Sequence, residues 1–196
     1  PSASLSIGLL LCDHVRDELQ PTHGDYPAQF ARLFDQVAPK WTFRLYEATQ
    51  GELPTQPDEC DAYLSTGSSW SVYDNAPWIE GIKHFIRSLY KSEIPYVGVC
   101  FGHQLLAEAL GGKVAKSPNG WCVGTHDFSV IGTEAWMLPP MDSLSLLMMC
   151  QDQVQALPPN STVLAHSTSC PIGMFRVGHT HLGIQAHPEF TKQYDA

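Results

Sequence analysis

The stretch from Pro95 to Gly112 leaves a folding chain few options. Val97-Gly98-Val99 is a short β-branched run that reads as a strand, and Gln104-Leu105-Leu106-Ala107-Glu108-Ala109-Leu110 reads as a helix ended by Gly111-Gly112. The switch from strand to helix falls at Cys100, bracketed by Gly98 and Gly102. Such a bend lifts its middle residue above a sheet edge, and glycine is needed on both sides because a Cβ would crowd the turn. It also places Cys100 at a helix N-terminus, where unpaired N–H groups and the helix dipole favour thiolate and can hold an oxyanion.

A thiolate nucleophile needs a base and a group to orient that base. Leu182-Gly183-Ile184-Gln185-Ala186 reads as a buried strand, followed at once by His187-Pro188-Glu189-Phe190. A histidine at a strand end points across the same sheet edge as the bend. Pro188 fixes the turn, and Glu189 can hold the imidazole by one nitrogen while the other faces sulfur. Cys100, His187 and Glu189 thus form a candidate triad in that chain order. The Phe101 N–H is one oxyanion donor by position. The second is expected from Thr66-Gly67-Ser68-Ser69, which follows the apolar strand Ala62-Tyr63-Leu64. The competing readings are a buried core cysteine and a surface His-Pro-Glu turn. A glycine bracket, a following helix and a distant strand-end His-Pro-Glu together argue against both.

Other residues invite different readings. His179 and His181 alternate as strand neighbours do, but no Cys-x-x-Cys accompanies them, so no metal site is expected. His103 neighbours the bend, yet the helix should carry it away from the sulfur. His126 and Asp127 read as ordinary polar positions at the start of a strand. Trp70, Tyr73 and Trp78 lie in a turn-rich segment before a helix, as a lid or docking surface or as packing between helix and sheet.

Around this centre strands and helices alternate. Strands are expected at residues 5–11, 42–46 and 62–66. A helix at 27–37 sets Phe30, Leu33, Phe34 and Val37 at helical spacing; another at 77–90 begins with proline and turns Ile79, Ile82, Phe85, Ile86 and Leu89 inward. This βαβ succession predicts an α/β fold, a mostly parallel central sheet flanked by helices on both faces, with the site at the carboxyl ends of its strands. From about Lys113 the elements shorten into a strand-rich C-terminal portion, at 113–116, 128–131, 162–166, 173–177 and 182–186. Pro139-Pro140 and Pro158-Pro159 mark turns rather than linkers, so residues 1–196 read as a single domain.

Composition narrows the function. With 11 basic and 20 acidic residues the net charge is −9, which argues against binding a nucleic-acid backbone. Six scattered cysteines suit reduced thiols in a cytoplasm, and no apolar run reaches membrane length. A small-molecule substrate is the expected partner, with no cofactor.

The segments Gly-Val-Cys-Phe-Gly-His-Gln-Leu-Leu-Ala-Glu-Ala-Leu-Gly-Gly-Lys-Val and Gly-Ile-Gln-Ala-His-Pro-Glu-Phe resemble the class I (triad) glutamine amidotransferase family, especially its GMP-synthase-like members. Asp61 to Ser68, Ser71 to Asp74, Gln151 to Val154 and Ser167 to Pro171 also fall where that family has comparable segments, so the resemblance covers roughly residues 60 to 190. It implies a flavodoxin-like fold and hydrolysis of the glutamine side-chain amide through a γ-glutamyl thioester, releasing glutamate and ammonia. It also implies the Gly67 and Phe101 backbone N–H groups as oxyanion hole and Gln104 as a substrate-binding residue. Main-chain groups of residues 149–152 would grip the amino-acid end, although many relatives have histidine where this chain has Cys150. Relatives commonly continue past Phe190 into a closing helix.

Three functions follow from the resemblance. The chain is expected to be a glutaminase that supplies ammonia to a separate synthetase subunit, since no Ser-Gly-Gly-x-Asp loop for nucleotide activation is present. A free-standing γ-glutamyl hydrolase or peptidase is the alternative. A catalytically silent amidotransferase-like binding protein is the third reading.

Overall fold

The computed structural model describes residues 3–190. Its first half alternates as expected except for the short, unanticipated α1: β1 (Ser6–Leu11), α1 (Gln20–His23), α2 (Tyr26–Asp35), β2 (Thr42–Glu47), β3 (Ala62–Ser65), α3 (Pro77–Lys91), β4 (Tyr96–Val99) and α4 (Phe101–Ala109). Seven strands follow: β5 (Lys113–Lys116), β6 (Cys122–Val130), β7 (Ser143–Cys150), β8 (Asp152–Ala156), β9 (Ser161–His166), β10 (Met174–Val177) and β11 (His181–Ile184).

Nine strands form one sheet in the order β2-β1-β3-β4-β11-β10-β9-β6-β7, while β5 and β8 pair separately. From β2 to β11 the neighbours are parallel, and from β11 to β7 they are antiparallel. The late strand β11 therefore inserts beside β4, with Gly183 opposite Gly98 and Ile184 opposite Val99. That insertion brings the two ends of the sequence argument to one edge of the sheet.

Strand alternation splits the apolar residues between two cores. Leu10, Tyr63 and Tyr96 pack with Ile79, Ile82, Ile86 and Leu89 of α3 and with Leu105 and Leu106 of α4. Ile7, Leu9, Leu64 and Val99 pack on the other face with Tyr26 and Phe30 of α2. Helices thus cover both faces of the parallel half, as an all-buried parallel sheet requires. None of the described helices is long and apolar enough to cross a membrane.

Some expectations need correction. Helix α2 ends at Asp35, so Val37 lies beyond it and is 77% exposed; Ala38 takes the buried position instead. Strand β6 starts six residues before the expected position 128, and neither β7 nor β8 was anticipated. His179 precedes β11 in a turn, and His181 sits buried between the rings of Tyr90 and Tyr96, so the two do not share a strand face. The closing helix implied after Phe190 lies outside the described residues.

Candidate active site

The bend at Cys100 takes a conformation that sequence spacing only suggests. Cys100 has φ 54° and ψ −104°, a left-handed value rare for a residue with a side chain. The two glycines make it possible by close approach. A Cβ on Gly98 would lie 2.1 Å from the Gly102 carbonyl oxygen, and one on Gly102 would lie 2.7 Å from that of Ser65. Helix α4 begins at the next residue, so the Phe101 N–H is among the first-turn donors without an intrahelical partner.

His187 and Glu189 arrive from the end of β11. The His187 Nδ1 lies 2.5 Å from Glu189 Oε1, both residues are buried, and Phe190 stacks on the imidazole at 4.0 Å. Cys100 and His187 line the same cleft, and Cys100 is the second charged neighbour of the imidazole. With Nδ1 on the carboxylate, Nε2 is the nitrogen left for sulfur. Burial alone would lower the affinity of His187 for a proton, but the charges of Glu189 and Cys100 overcome it and hold the group well above its ordinary value. Burial pushes the thiols of Cys12, Cys150 and Cys170 up, so these three stay protonated at neutral pH. The structure thus brings Cys100, His187 and Glu189 together, and such an arrangement can move a proton between sulfur and an adjacent substrate atom.

Gly67 closes the site from the opposite side. A Cβ there would lie 3.0 Å from His187 Cε1 and 3.8 Å from Cys100 Cβ, so the glycine lets this loop pass directly over the thiol. The loop is tied down by Asp13, whose Oδ2 accepts from the Ser69 N–H at 2.8 Å and its hydroxyl at 2.6 Å. Gln104 is buried in the first turn of α4. Its Nε2 donates to the Asp152 carbonyl at 2.9 Å and to Gln185 Oε1 at 3.2 Å, and Gln185 Nε2 in turn lies 3.6 Å from the sulfur.

A cleft of about 210 Å3 opens beside Cys100, bounded by Ser68, Phe101, Gln104, Lys116, Met149 and Asp152. It carries one cation, Lys116, and one anion, Asp152. The Asp152 carboxylate is fixed by the Ser71 and Tyr73 hydroxyls, each donating at 2.8 Å. Trp78 packs on Phe101 at 5.7 Å and Trp70 meets Trp78 edge-on, while Trp70 and Tyr73 keep about half their surface exposed. The aromatic segment therefore both packs the helix and borders the cleft. His103 is fully buried against Phe175, turned away from the sulfur.

The sequence pointed to the main chain of residues 149–152 but not to Leu147, Asp13 or Gln185. Strand β7 closes the site through its backbone: the His187 N–H donates to the Leu147 carbonyl at 2.8 Å, and the Cys100 thiol points at the Met149 carbonyl at 3.8 Å. Asp13 lies two residues past β1 at the carboxyl edge, a position where site residues of such sheets gather, and that signal was available. Gln185 stands just past β11, two residues before His187, and its amide reaches the sulfur.

The geometry has counterparts among known proteins. A sequence model described as glutamine amidotransferase class-I matches residues 67–195, more than half of the chain. The chain belongs to the class-I glutamine amidotransferase family. Among its relatives is gamma-glutamyl peptidase 4 of Arabidopsis thaliana, 30% identical over 87% of this chain and 70% of that one. The glutamine-hydrolyzing GMP synthase of Tropheryma whipplei is 31% identical over 65% of this chain but only 24% of its own length. A solved glutamine amidotransferase from Methylobacillus flagellatus superposes with a TM-score of 0.79 at 22% identity, covering 96% of this chain and 72% of that one, and so shares the fold.

Proposed function

We propose that this protein hydrolyses γ-glutamyl amides through a thioester on Cys100. The observation that carries the reading is the buried Cys100–His187–Glu189 constellation, set between a helix N-terminus and a glycine loop. His187 already holds the proton of the Cys100–His187 pair when sulfur attacks the γ-carbonyl carbon. The oxyanion forms toward the N–H groups of Phe101 and Gly67, donors of a kind worth about 3 to 4 kcal/mol each in acyl transfer. His187 passes its proton to the departing nitrogen as the C–N bond breaks. Water then attacks the thioester with the same imidazole as base, releasing glutamate and leaving the proton on His187. Lys116 and Asp152 offer opposite charges to the α-carboxylate and α-ammonium of the glutamyl group, and Gln104 borders its amide end.

The likeness to gamma-glutamyl peptidase 4 over most of both chains supports a hydrolase that turns over unaided. The likeness to GMP synthase favours the second reading, a glutaminase that hands ammonia to a synthetase subunit. Exposure to a glutamine-mimicking diazoketone, followed by mass spectrometry, tests the shared step. A covalent adduct on Cys100, absent in Cys100→Ala, is expected. An unlabelled Cys100, or full turnover by Cys100→Ala, would sink it. Turnover by the isolated protein separates the two readings, because a subunit that waits for its synthetase stays nearly silent alone.

A further inference from the structure

The thiol opens onto two clefts. The second, of about 200 Å3, shares Cys100, Ser68, Ser69, Trp121 and Met149 with the first, but its far wall is made by Asp13, His14, Arg16, Tyr26, His187 and Phe190. Acyl transfer gives the two different tasks. Phe101 and Gln104 border only the first cleft, and His187 borders only the second. The atom that must receive the imidazole's proton is the departing nitrogen, so the leaving amine lies on the His187 side. Ammonia is the size of water, whose share of liquid volume is about 30 Å3. The second cleft has room for several times that.

We propose that this second cleft is a leaving-group subsite for an amino acid or short peptide with a free carboxylate, and that Arg16 is the residue that reads the carboxylate. It rests on the thioester chemistry proposed for Cys100.

Arg16 is the one arginine or lysine in the wall, and among the described residues it pairs with no carboxylate. The other charges there are already committed. Asp13 is held by Ser69 and by the His14 N–H, and the His14 ring is held between Asp25 and Glu47. The backbone that carries Arg16 is fixed: the Val15 N–H donates to Asp25 Oδ1 at 2.8 Å, and the Arg16 carbonyl accepts from Leu19 at 2.9 Å. An exposed guanidinium on an anchored loop suits a carboxylate that arrives and departs with each turnover, and its planar fork matches that group with two parallel hydrogen bonds. Val15, Trp121 and Phe190 supply apolar surface for the side chains between the scissile nitrogen and that carboxylate. In the reaction the γ-amide C–N bond breaks, the amine leaves protonated through this cleft, and a water entering behind it cleaves the thioester.

The test compares kcat/KM for a γ-glutamyl dipeptide with a free C-terminal carboxylate, the same dipeptide as its C-terminal amide, and glutamine. Wild type is expected to prefer the acid over the amide about tenfold or more, the scale of one charge-assisted contact. In Arg16→Ala the ratio falls to near one, in Arg16→Glu it inverts, and Arg16→Lys restores part of it. Equal rates for acid and amide in wild type, or a preference that survives Arg16→Ala, overturn the subsite. So does hydrolysis of glutamine, or diazoketone labelling of Cys100, with both peptides refused; that outcome leaves the thioester reading standing. If nothing turns over and Cys100 stays unlabelled, the thioester reading falls and the subsite falls with it.

Discussion

Cys100 is held in a conformation that costs about 1 to 3 kcal/mol for a residue with a side chain, and it persists because the surroundings over-determine it. Gly98 is the tightest of those constraints. The substitution Gly98→Ala drives a methyl to 2.1 Å from a backbone oxygen, which cannot rotate away. We expect it to cost at least about 3 kcal/mol in urea denaturation and to abolish diazoketone labelling, because relief requires moving the bend. Glu189 acts through His187. Its Oε1 accepts from Nδ1, while its Oε2 is buried without a partner among the described residues, so the imidazole is what compensates its charge. Glu189→Gln keeps the shape but removes the charge and can present an N–H where an acceptor is needed. Single-turnover acylation should slow by about 10²- to 10⁴-fold with little change in melting temperature, the loss seen when a triad carboxylate becomes an amide. A loss below about fivefold would show that His187 needs no such orientation.

The loop from Thr66 to Trp70 is anchored at one charged point. Asp13 supplies two hydrogen bonds to Ser69, and Thr66 receives the Cys12 N–H at 3.0 Å, so β1 and its following loop set the height of Gly67 above the thiol. Hydrogen bonds to a charged group contribute about 1.5 to 3 kcal/mol. Asp13→Ala should therefore lower kcat by about 10- to 100-fold while circular dichroism stays that of the wild type; unchanged kcat would show the loop to be positioned from elsewhere. The same scale explains what sequence reading missed. Strand β7 reads Ser-Leu-Ser-Leu and then Leu-Met-Met-Cys, so alternation covers only its first half and gives way to an apolar run. Its importance to the site comes from a bridge between Leu147 and His187, forty residues apart, which no local pattern encodes.

Across the whole molecule, buried histidines make stability depend on pH from both sides. Burial lowers His103 to about 3 and His181 to about 4, against weaker opposing contributions from nearby backbone groups. Below about pH 6.5 the unfolded chain binds protons that the fold refuses, so stability falls as pH drops toward 4. His187 has the opposite sign: the fold keeps its proton where the unfolded chain releases it, and that contribution is lost as pH rises through the folded value. Calorimetry should find the highest melting temperature near neutrality. Replacing His103, which borders neither of the two clefts at Cys100, by leucine should flatten the acid limb; an acid limb as steep as wild type would place the proton uptake elsewhere. The parallel half of the sheet and the strand-to-helix bend were legible in the sequence. So was the chain order of Cys100, His187 and Glu189, because each depends on runs of a few residues whose period or glycine spacing has one good local solution. Tertiary structure alone decided that β11 inserts beside β4, that β7 turns back over the thiol, and that two clefts flank one sulfur. Those outcomes follow from strand pairing and packing between distant segments, where many partners satisfy the same local pattern and only the assembled core selects among them.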